Sequence, residues 1–341
     1  MSSADADYAV RLPRTYDPQL LVRDLKVLSD VPTAPQPGPY HKGEWTGIAL
    51  HSMAGKDSVF PSSPGMETYQ ETANLQRTPY FRQILRELEC PKEVVRILFL
   101  PPGGHIKDHF DFQTSFQFGL IRLHIPILTH PDVAFIIDGH RMRWNPGELW
   151  YGDFSRVHSV KNDSQMVRVH IVLDVQINDF ILNLFPPDFV ERQRVKGISM
   201  TREAMPASES ELRRYICDFR IPGEMMPMFV IGKPLSTLIK GTIASVRLIE
   251  GQLMVMINNE PAFRLIRVAD DTFSISGLPP GIALQFERRG YVVENVAVDM
   301  KGLPKDLYSA RLGMLQGPLL TERRVSLPVV SNSPSGVQGV L

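Results

Sequence analysis

Residues 94–128 read VVRILFLPPGGHIKDHFDFQTSFQFGLIRLHIPIL, and the fold is decided there. Short runs of Val, Ile, Leu and Phe break at Pro101-Pro102-Gly103-Gly104 and then resume, as strands do between turns. Similar breaks follow at Asp138-Gly139, Asn145-Pro146-Gly147 and Asn162-Asp163, so 94–175 predicts an antiparallel barrel or sandwich. Upstream, 18–29 (PQLLVRDLKVLS) repeats leucines near helical spacing behind Asp17-Pro18, which predicts a short amphipathic helix. A second helix is signalled over 78–89 (TPYFRQILRELE), and Trp45–Leu50 is strand-like within loops rich in Pro, Gly and Ser. Downstream, 176–225 turns helical and contains a capping-box-like run at 208–220 (SESELRRYICDFR). From about 228 to 315 a second β-rich stretch is punctuated by Gly251, Asn258-Asn259, Asp270-Asp271 and Gly290. The predicted organisation is a first domain over 1–185, a helical connector over 186–227, a small β-domain over 228–325 and a flexible tail over 326–341.

Composition narrows the function classes. The chain has 341 residues with 37 basic and 37 acidic side chains, so no global field draws it to nucleic acid or to an anionic membrane. Apolar residues at 43% and charged residues at 22% are globular values that leave material for a core. Two cysteines, Cys90 and Cys217, are too few for a disulfide scaffold and suit a reducing compartment, so the cytoplasm is expected. The opening MSSADADYAVRLPR carries acids where a signal peptide carries bases and then an apolar run, so neither secretion nor membrane spanning is expected.

Seven of the nine histidines fall between residues 105 and 170. Among them, His109-Phe110-Asp111 places imidazole and carboxylate on one face of a strand, because residues two apart project the same way. With His158 as third ligand, two neutral histidines and one carboxylate leave three open positions on a metal, the donor set of non-haem Fe(II) oxygenases. The plainer reading is a strand-end His and Asp paired with each other or with solvent. A second pattern occurs twice: Arg122-Leu123-His124 and Arg168-Val169-His170 each put Arg and His on one strand face. Two guanidinium groups inside a barrel call for an anion, and their planar forks suit a dicarboxylate. Alternatively both arginines face solvent and alternate with a core of Leu123, Ile125, Val169 and Ile171. His105 and His109 have the spacing of a zinc-binding helix, but Pro-Pro-Gly-Gly precedes them and Ile106 stands where a general base is needed, so a zinc protease is excluded. No Gly-x-Ser-x-Gly elbow, P-loop or dinucleotide fingerprint occurs.

The order His109-x-Asp111, Arg122-x-His124, Gly147-Glu148 with an aromatic run and Asp153, then His158 and Arg168, resembles the aspartyl/asparaginyl β-hydroxylase family of 2-oxoglutarate oxygenases. Within that family the pattern is most similar to the bacterial L-proline cis-4-hydroxylases, since the acid at 111 is present and His170 and a Val-Leu-Asp ending follow Arg168. The similarity extends over about 10–185, including Gly43-Glu44-Trp45, and leaves the C-terminal part unexplained beyond a pattern that resembles lipocalin-like β-domains. The implied fold is mainly β with flanking helices: a double-stranded β-helix, jelly-roll or cupin-like, as catalytic core, and a smaller C-terminal β-barrel-like domain. The resemblance implies Fe(II) on His109, Asp111 and His158, with Arg168 pairing the distal carboxylate of 2-oxoglutarate. It further implies that Arg122 and His124 help hold the co-substrate and that Trp45 walls its pocket. Leu98 departs from the pattern, because a serine at that offset assists the distal carboxylate in the aspartyl hydroxylase branch.

The function expected is Fe(II)- and 2-oxoglutarate-dependent hydroxylation, using O2 and helped in vitro by ascorbate, of a free amino acid or small amino-acid-derived metabolite. Two alternatives stay open at this point. One keeps the chemistry on a peptide, a carrier-bound aminoacyl group or a protein Asp/Asn side chain; the other is a non-oxygenase cupin-like small-acid binder or isomerase. Residues 112–119 (FQTSFQFG) are a candidate lid or an ordinary strand and turn. The C-terminal β-domain is open to closing the active-site mouth, forming a homodimer or holding a partner.

Overall fold

The computed structural model describes residues 7–38, 40–42, 44–60, 65–111, 114–226, 241–304 and 320–332. Two units divide the chain, one reaching Thr201 and the other beginning at Arg202, with 65–68 counted in the second. The division falls later than residue 185.

In the first unit the strands are β1 (Ala9–Thr15), β2 (Ala34–Pro35), β3 (Thr46–Met53), β4 (Tyr69–Glu71), β5 (Lys92–Leu100), β6 (His105–His109), β7 (Leu120–Leu128), β8 (Val133–Ile137), β9 (His140–Met142), β10 (Glu148–Gly152), β11 (His158–Asn162) and β12 (Arg168–Gln176). Its helices are α1 (Pro18–Val27), α2 (Ala73–Gln76), α3 (Pro79–Glu87), α4 (Asp179–Leu182) and α5 (Pro187–Lys196). One sheet has the order β1-β10-β7-β12-β5-β3-β2, with β4 on β3; the other has the order β6-β11-β8-β9. Every pairing in both sheets is antiparallel, as the turn spacing predicts. Asp138-Gly139, the break before β9, has both residues at positive φ (50° and 75°), the two-residue turn whose twist matches a hairpin.

The large sheet buries both faces, and its central strands show why. On β12, Val169, Ile171, Leu173 and Val175 join Leu123 and Ile125 of β7 and Ile97 of β5 against the helical layer, where α3 contributes Phe81, Ile84 and Leu85. Each such side chain removed from water contributes about 1.5–3 kcal/mol. α1 starts at Pro18 with Asp17 capping the amides of Gln19 and Leu20, as the sequence signals. The alternate residues of the same strands face the small sheet. Between the two sheets lies a second apolar layer built from Leu100, Ile106, Phe135, Ile137, Trp144, Phe154 and Val160.

The second unit contains α6 (Glu209–Leu212) and the strands β13 (Cys217–Ile221), β14 (Thr242–Ile249), β15 (Gln252–Ile257), β16 (Glu260–Ala269), β17 (Thr272–Ile275), β18 (Ile282–Arg289), β19 (Val292–Pro304) and β20 (Leu320–Ser331). They close into an eight-stranded barrel in sequence order, filled by Phe219, Val255, Phe263, Phe273, Leu284, Phe286 and Val298. Two features correct the expected organisation. β13 lies inside 186–227, expected as a helical connector: the capping box of Ser208 and Glu211 supports only one turn, after which Phe219 and Ile221 alternate into the barrel. β20 runs six residues into 326–341, expected as a flexible tail, because Leu327 is fully buried and Phe219 pairs with Val329. The remainder of that tail, 333–341, lies outside the described residues.

Residues 114–119, within the candidate lid, are an anchored turn. Phe116 and Phe118 are buried, and the ring of Phe116 meets Tyr151, Phe185 and Phe189 edge-on at centroid distances of 5.5, 5.3 and 5.6 Å. Phe112 and Gln113 lie outside the described residues. Emptying this aromatic cluster with Phe116→Ala is expected to cost about 3–5 kcal/mol in denaturant unfolding, and a cost below about 1 kcal/mol would contradict the packing.

Candidate metal centre

β6 and β11 are neighbours in the small sheet, and their register sets His109 directly opposite His158. The imidazole centroids are 4.2 Å apart. In each ring Nδ1 faces the backbone carbonyl two residues earlier, Lys107 O at 2.7 Å and Arg156 O at 2.9 Å. Donation to those carbonyls places the proton on Nδ1 and leaves the Nε2 lone pair free to coordinate. Asp111, just beyond β6, is fixed through its own amide, which donates to Phe154 O at 2.7 Å. Ligand atoms of His109, Asp111 and His158 all lie within 4.8 Å of one another. Burial, and then the neighbouring His109, holds the pKa of His158 down to about 3, so this ring stays neutral and ready to bind. Burial alone would raise the Asp111 carboxyl, but Arg122 and the two histidines hold it well below the usual carboxylate range.

Arg122 ties this carboxylate into a buried ionic chain. Its Nη1 donates to Asp111, while Nε and Nη2 donate to the two oxygens of Asp174 at 2.6 and 3.1 Å. Arg96 gives Nη2 to the same Asp174 carboxylate at 3.0 Å and Nη1 to Gln36 Oε1 and Val59 O, each at 3.1 Å. Asp174 and Arg122 are register partners on β12 and β7. The donors of Arg122, assigned by resemblance to the co-substrate, are thus committed to two aspartates, which makes it a positioning residue for Asp111.

Arg168 differs. It is buried at 3% exposure and forms no ion pair among the described residues; its guanidinium lies over the Phe135 ring at 5.1 Å and donates to His170 Nδ1 at 3.1 Å. Burial without a carboxylate pulls its pKa down to about 9. Around it stand His124, His170 and Trp144, whose Nε2, Nε2 and Nε1 atoms are buried without a hydrogen-bond partner. His124 stacks on Phe154 at 4.9 Å, and Phe154 meets His158 at 4.9 Å, which links this cluster to the candidate metal donors. Burial, reinforced by the Arg168 charge, depresses both His124 and His170 far below the ordinary imidazole range.

His109, Asp111 and His158 are therefore brought together, and Arg122 and His124 join them from β7. Solvent-facing arginines, the alternative considered from sequence, do not occur: Leu123, Ile125, Val169 and Ile171 form the helix-side core while Arg122 and Arg168 point between the sheets. Trp45, at the head of β3, packs on the inter-sheet layer that holds Phe135, Trp144 and Phe154, and its Nε1 lacks a partner. His105 and His140 are exposed. Sequence reasoning missed Tyr40, which stacks on the His109 ring at 4.3 Å, and the pair Arg96 and Asp174. Asp174 carried a weak signal as the acid ending RVHIVLD, on the face shared by Arg168 and His170.

Residues 24–177 match the family model of the aspartyl/asparaginyl β-hydroxylases. This stretch, less than half of the chain, is similar to that family. Similar curated proteins are L-proline cis-3-hydroxylase 1 and 2 of a Streptomyces species, 24% and 22% identical over 170 and 169 residues. The alignments cover 47% and 46% of this chain and only 57% and 56% of those relatives. By name they attack carbon 3 of proline, where the sequence pattern resembled the cis-4 enzymes. A solved oxidoreductase of the 2OG-Fe(II) oxygenase family from Burkholderia pseudomallei has 14% identity and a TM-score of 0.35, covering 49% of this chain and 85% of that one. No helix among the described residues is long and apolar enough to cross a membrane.

Two predictions concern this centre. The depressed folded-state pKa values of His124 and His170 mean that the unfolded chain takes up protons the folded one refuses. Stability is therefore full above the unfolded imidazole pKa of about 6.5 and falls as pH drops below it, by roughly 1 kcal/mol per pH unit for each ring. Thermal unfolding between about pH 8 and pH 5 reads this, and His124→Phe is expected to flatten the slope. Asp174→Asn strips the partner from two buried guanidinium groups and is expected to cost about 3–5 kcal/mol and to weaken metal binding, measured by calorimetry with Mn(II).

Proposed function

We propose that the first unit is an Fe(II)- and 2-oxoglutarate-dependent dioxygenase that hydroxylates an unactivated carbon of a free amino acid or small amino-acid derivative. The observation that carries this reading is the buried, carboxylate-free guanidinium of Arg168 in the same sandwich as the His109, Asp111 and His158 donors. The donor set fits a ferrous ion: two neutral imidazoles with fixed tautomers and one ionised carboxylate leave three positions open. When bound, Fe(II) with a chelated 2-oxo acid supplies dioxygen reduction coupled to decarboxylation, giving succinate, CO2 and one oxygen atom for the substrate carbon.

The chain's own residues have separate tasks in this reading. His109, Asp111 and His158 hold the metal, and Lys107 O, Arg156 O and Arg122 orient them. Arg168 receives the distal carboxylate, since an uncompensated buried guanidinium is offset best by a bidentate anion. Phe135, Trp144 and Phe154 exclude water from that end of the site. Tyr40 stacks on the His109 ring and steadies it. The names of the proline hydroxylase relatives support a small amino acid over a tethered one.

The test incubates the protein aerobically with Fe(II), ascorbate, 2-oxoglutarate and a panel of free amino acids, following succinate and any product heavier by one oxygen. One amino acid gaining oxygen with matched succinate, abolished in His109→Ala, is the expected result. Succinate without an oxygenated free amino acid points to a peptide, carrier-bound or protein substrate, and neither signal rejects the oxygenase reading. Arg168→Ala is expected to raise the KM for 2-oxoglutarate roughly a hundredfold, because it removes one partner of a desolvated charge pair.

A further inference from the structure

The loop between β10 and β11, residues 153–157, gives two backbone carbonyls to the candidate metal donors. Phe154 O accepts from the amide of Asp111 at 2.7 Å, and Arg156 O faces Nδ1 of His158 at 2.9 Å. The third donor, His109, is oriented instead by Lys107 O of its own strand, at 2.7 Å. One short loop thus aims two of the three donors, and their placement depends on the shape it keeps.

A loop without a backbone ladder takes its shape from side chains that stand in for backbone acceptors. Here one carboxylate does most of this. Asp153 Oδ1 accepts from the amide of Ser155 at 3.2 Å and from its hydroxyl, and Oδ2 accepts from Arg156 Nε at 3.0 Å. The Asp153 amide is itself fixed to β1 by donating to Tyr8 O at 2.8 Å. Arg156 carries the loop on to the turn between β8 and β9: its Nη1 donates to Asp138, whose amide donates to Val157 O at 2.9 Å. Gly152 completes the bend. A Cβ there would meet the Phe154 ring at 2.8 Å, so the ring folds back to stack on His124 and meet His158 only over a glycine. Asp153 belongs to the ordered pattern in the sequence, yet its carboxylate acts on Ser155 and Arg156 rather than on a donor.

We propose that Asp153 is a positioning residue of the metal centre: through Ser155 and Arg156 it fixes the loop whose carbonyls hold the Asp111 amide and the His158 tautomer. The assignment rests on the metal-binding reading above. It carries an asymmetry, because His109 is aimed from β6 and does not depend on this loop.

The experiment follows the imidazole nitrogens by 15N NMR in metal-free protein and measures Mn(II) binding by calorimetry. Asp153→Ala is expected to release the His158 Nδ1–H, seen as faster exchange with water and mixed tautomers, while the His109 Nδ1–H stays as it is. Mn(II) binding is expected to weaken roughly tenfold or more in the same variant. Asp153→Asn keeps an oxygen for Ser155 and loses the charge facing Arg156; it is expected to lose less, and it carries the test if the Ala variant does not fold. An unchanged Mn(II) affinity in the Ala variant, or in the Asn variant where that alone folds, would overturn the assignment and leave the metal centre standing. So would His109 and His158 disturbed alike, since general loosening of the small sheet has no such asymmetry. Wild-type protein that binds no Mn(II) overturns the metal centre itself, and the role of Asp153 with it.

Discussion

One buried carboxylate holds the first unit to its geometry. Asp174 accepts from Arg96 on β5 and Arg122 on β7, so the three central strands of the large sheet are tied through a single side chain at 2% exposure. Taking these charges out of water costs several kcal/mol apiece, and only close, multiply bonded geometry repays it. Arg122 extends the chain to Asp111. Two positive and two negative groups therefore alternate, and within itself the chain is neutral. This neutrality gives Arg168 its meaning. Asp111 and Asp174 are both matched within that chain, while Arg168 meets no carboxylate among the described residues.

The same strands serve two chemistries because their period is two. Alternate residues of β5, β7 and β12 are apolar and pack under the helices, and the others carry Arg96, Arg122, His124, Arg168, His170 and Asp174 toward the small sheet. A slip of one residue in any of these registers would bury the charges under the helices and drive the leucines and isoleucines into the site. The helix-side core thus fixes the register, and the register fixes the site. Stability and the site's geometry are coupled through the register.

The convergence of His109 and Asp111 and the pairing of two Arg-x-His strands were legible in the sequence because both signals are local. His109 and Asp111 share a strand face by spacing alone, and the repeated Arg-x-His marks two strands of one sheet. What escaped depends on distant pairing. Asp174 reads as the end of an apolar run until β7, 52 residues away, supplies Arg122. Tyr40 comes from a Pro- and Gly-rich loop with no periodicity, and its stacking on His109 follows from the backbone bond between Lys107 N and Tyr40 O. In the second unit the turn residues were readable, while β13 was hidden behind a genuine helix start and β20 behind Ser, Pro and Asn that signal a loose tail. Barrel closure, a property of all eight strands together, overrode both local signals.

The apolar layer between the sheets completes the argument. Phe135 lies under the Arg168 guanidinium, Phe154 stacks on His124 and meets His158, and Trp144 stacks on Trp150. A charge bound among these rings is poorly screened by solvent, so each donor aimed at it counts for more than the same donor would in water. That advantage is lost if water fills the space. In the proposed reading the aromatic residues serve anion binding by keeping the guanidinium's surroundings dry, and Trp45 and Tyr40 pack on the same layer.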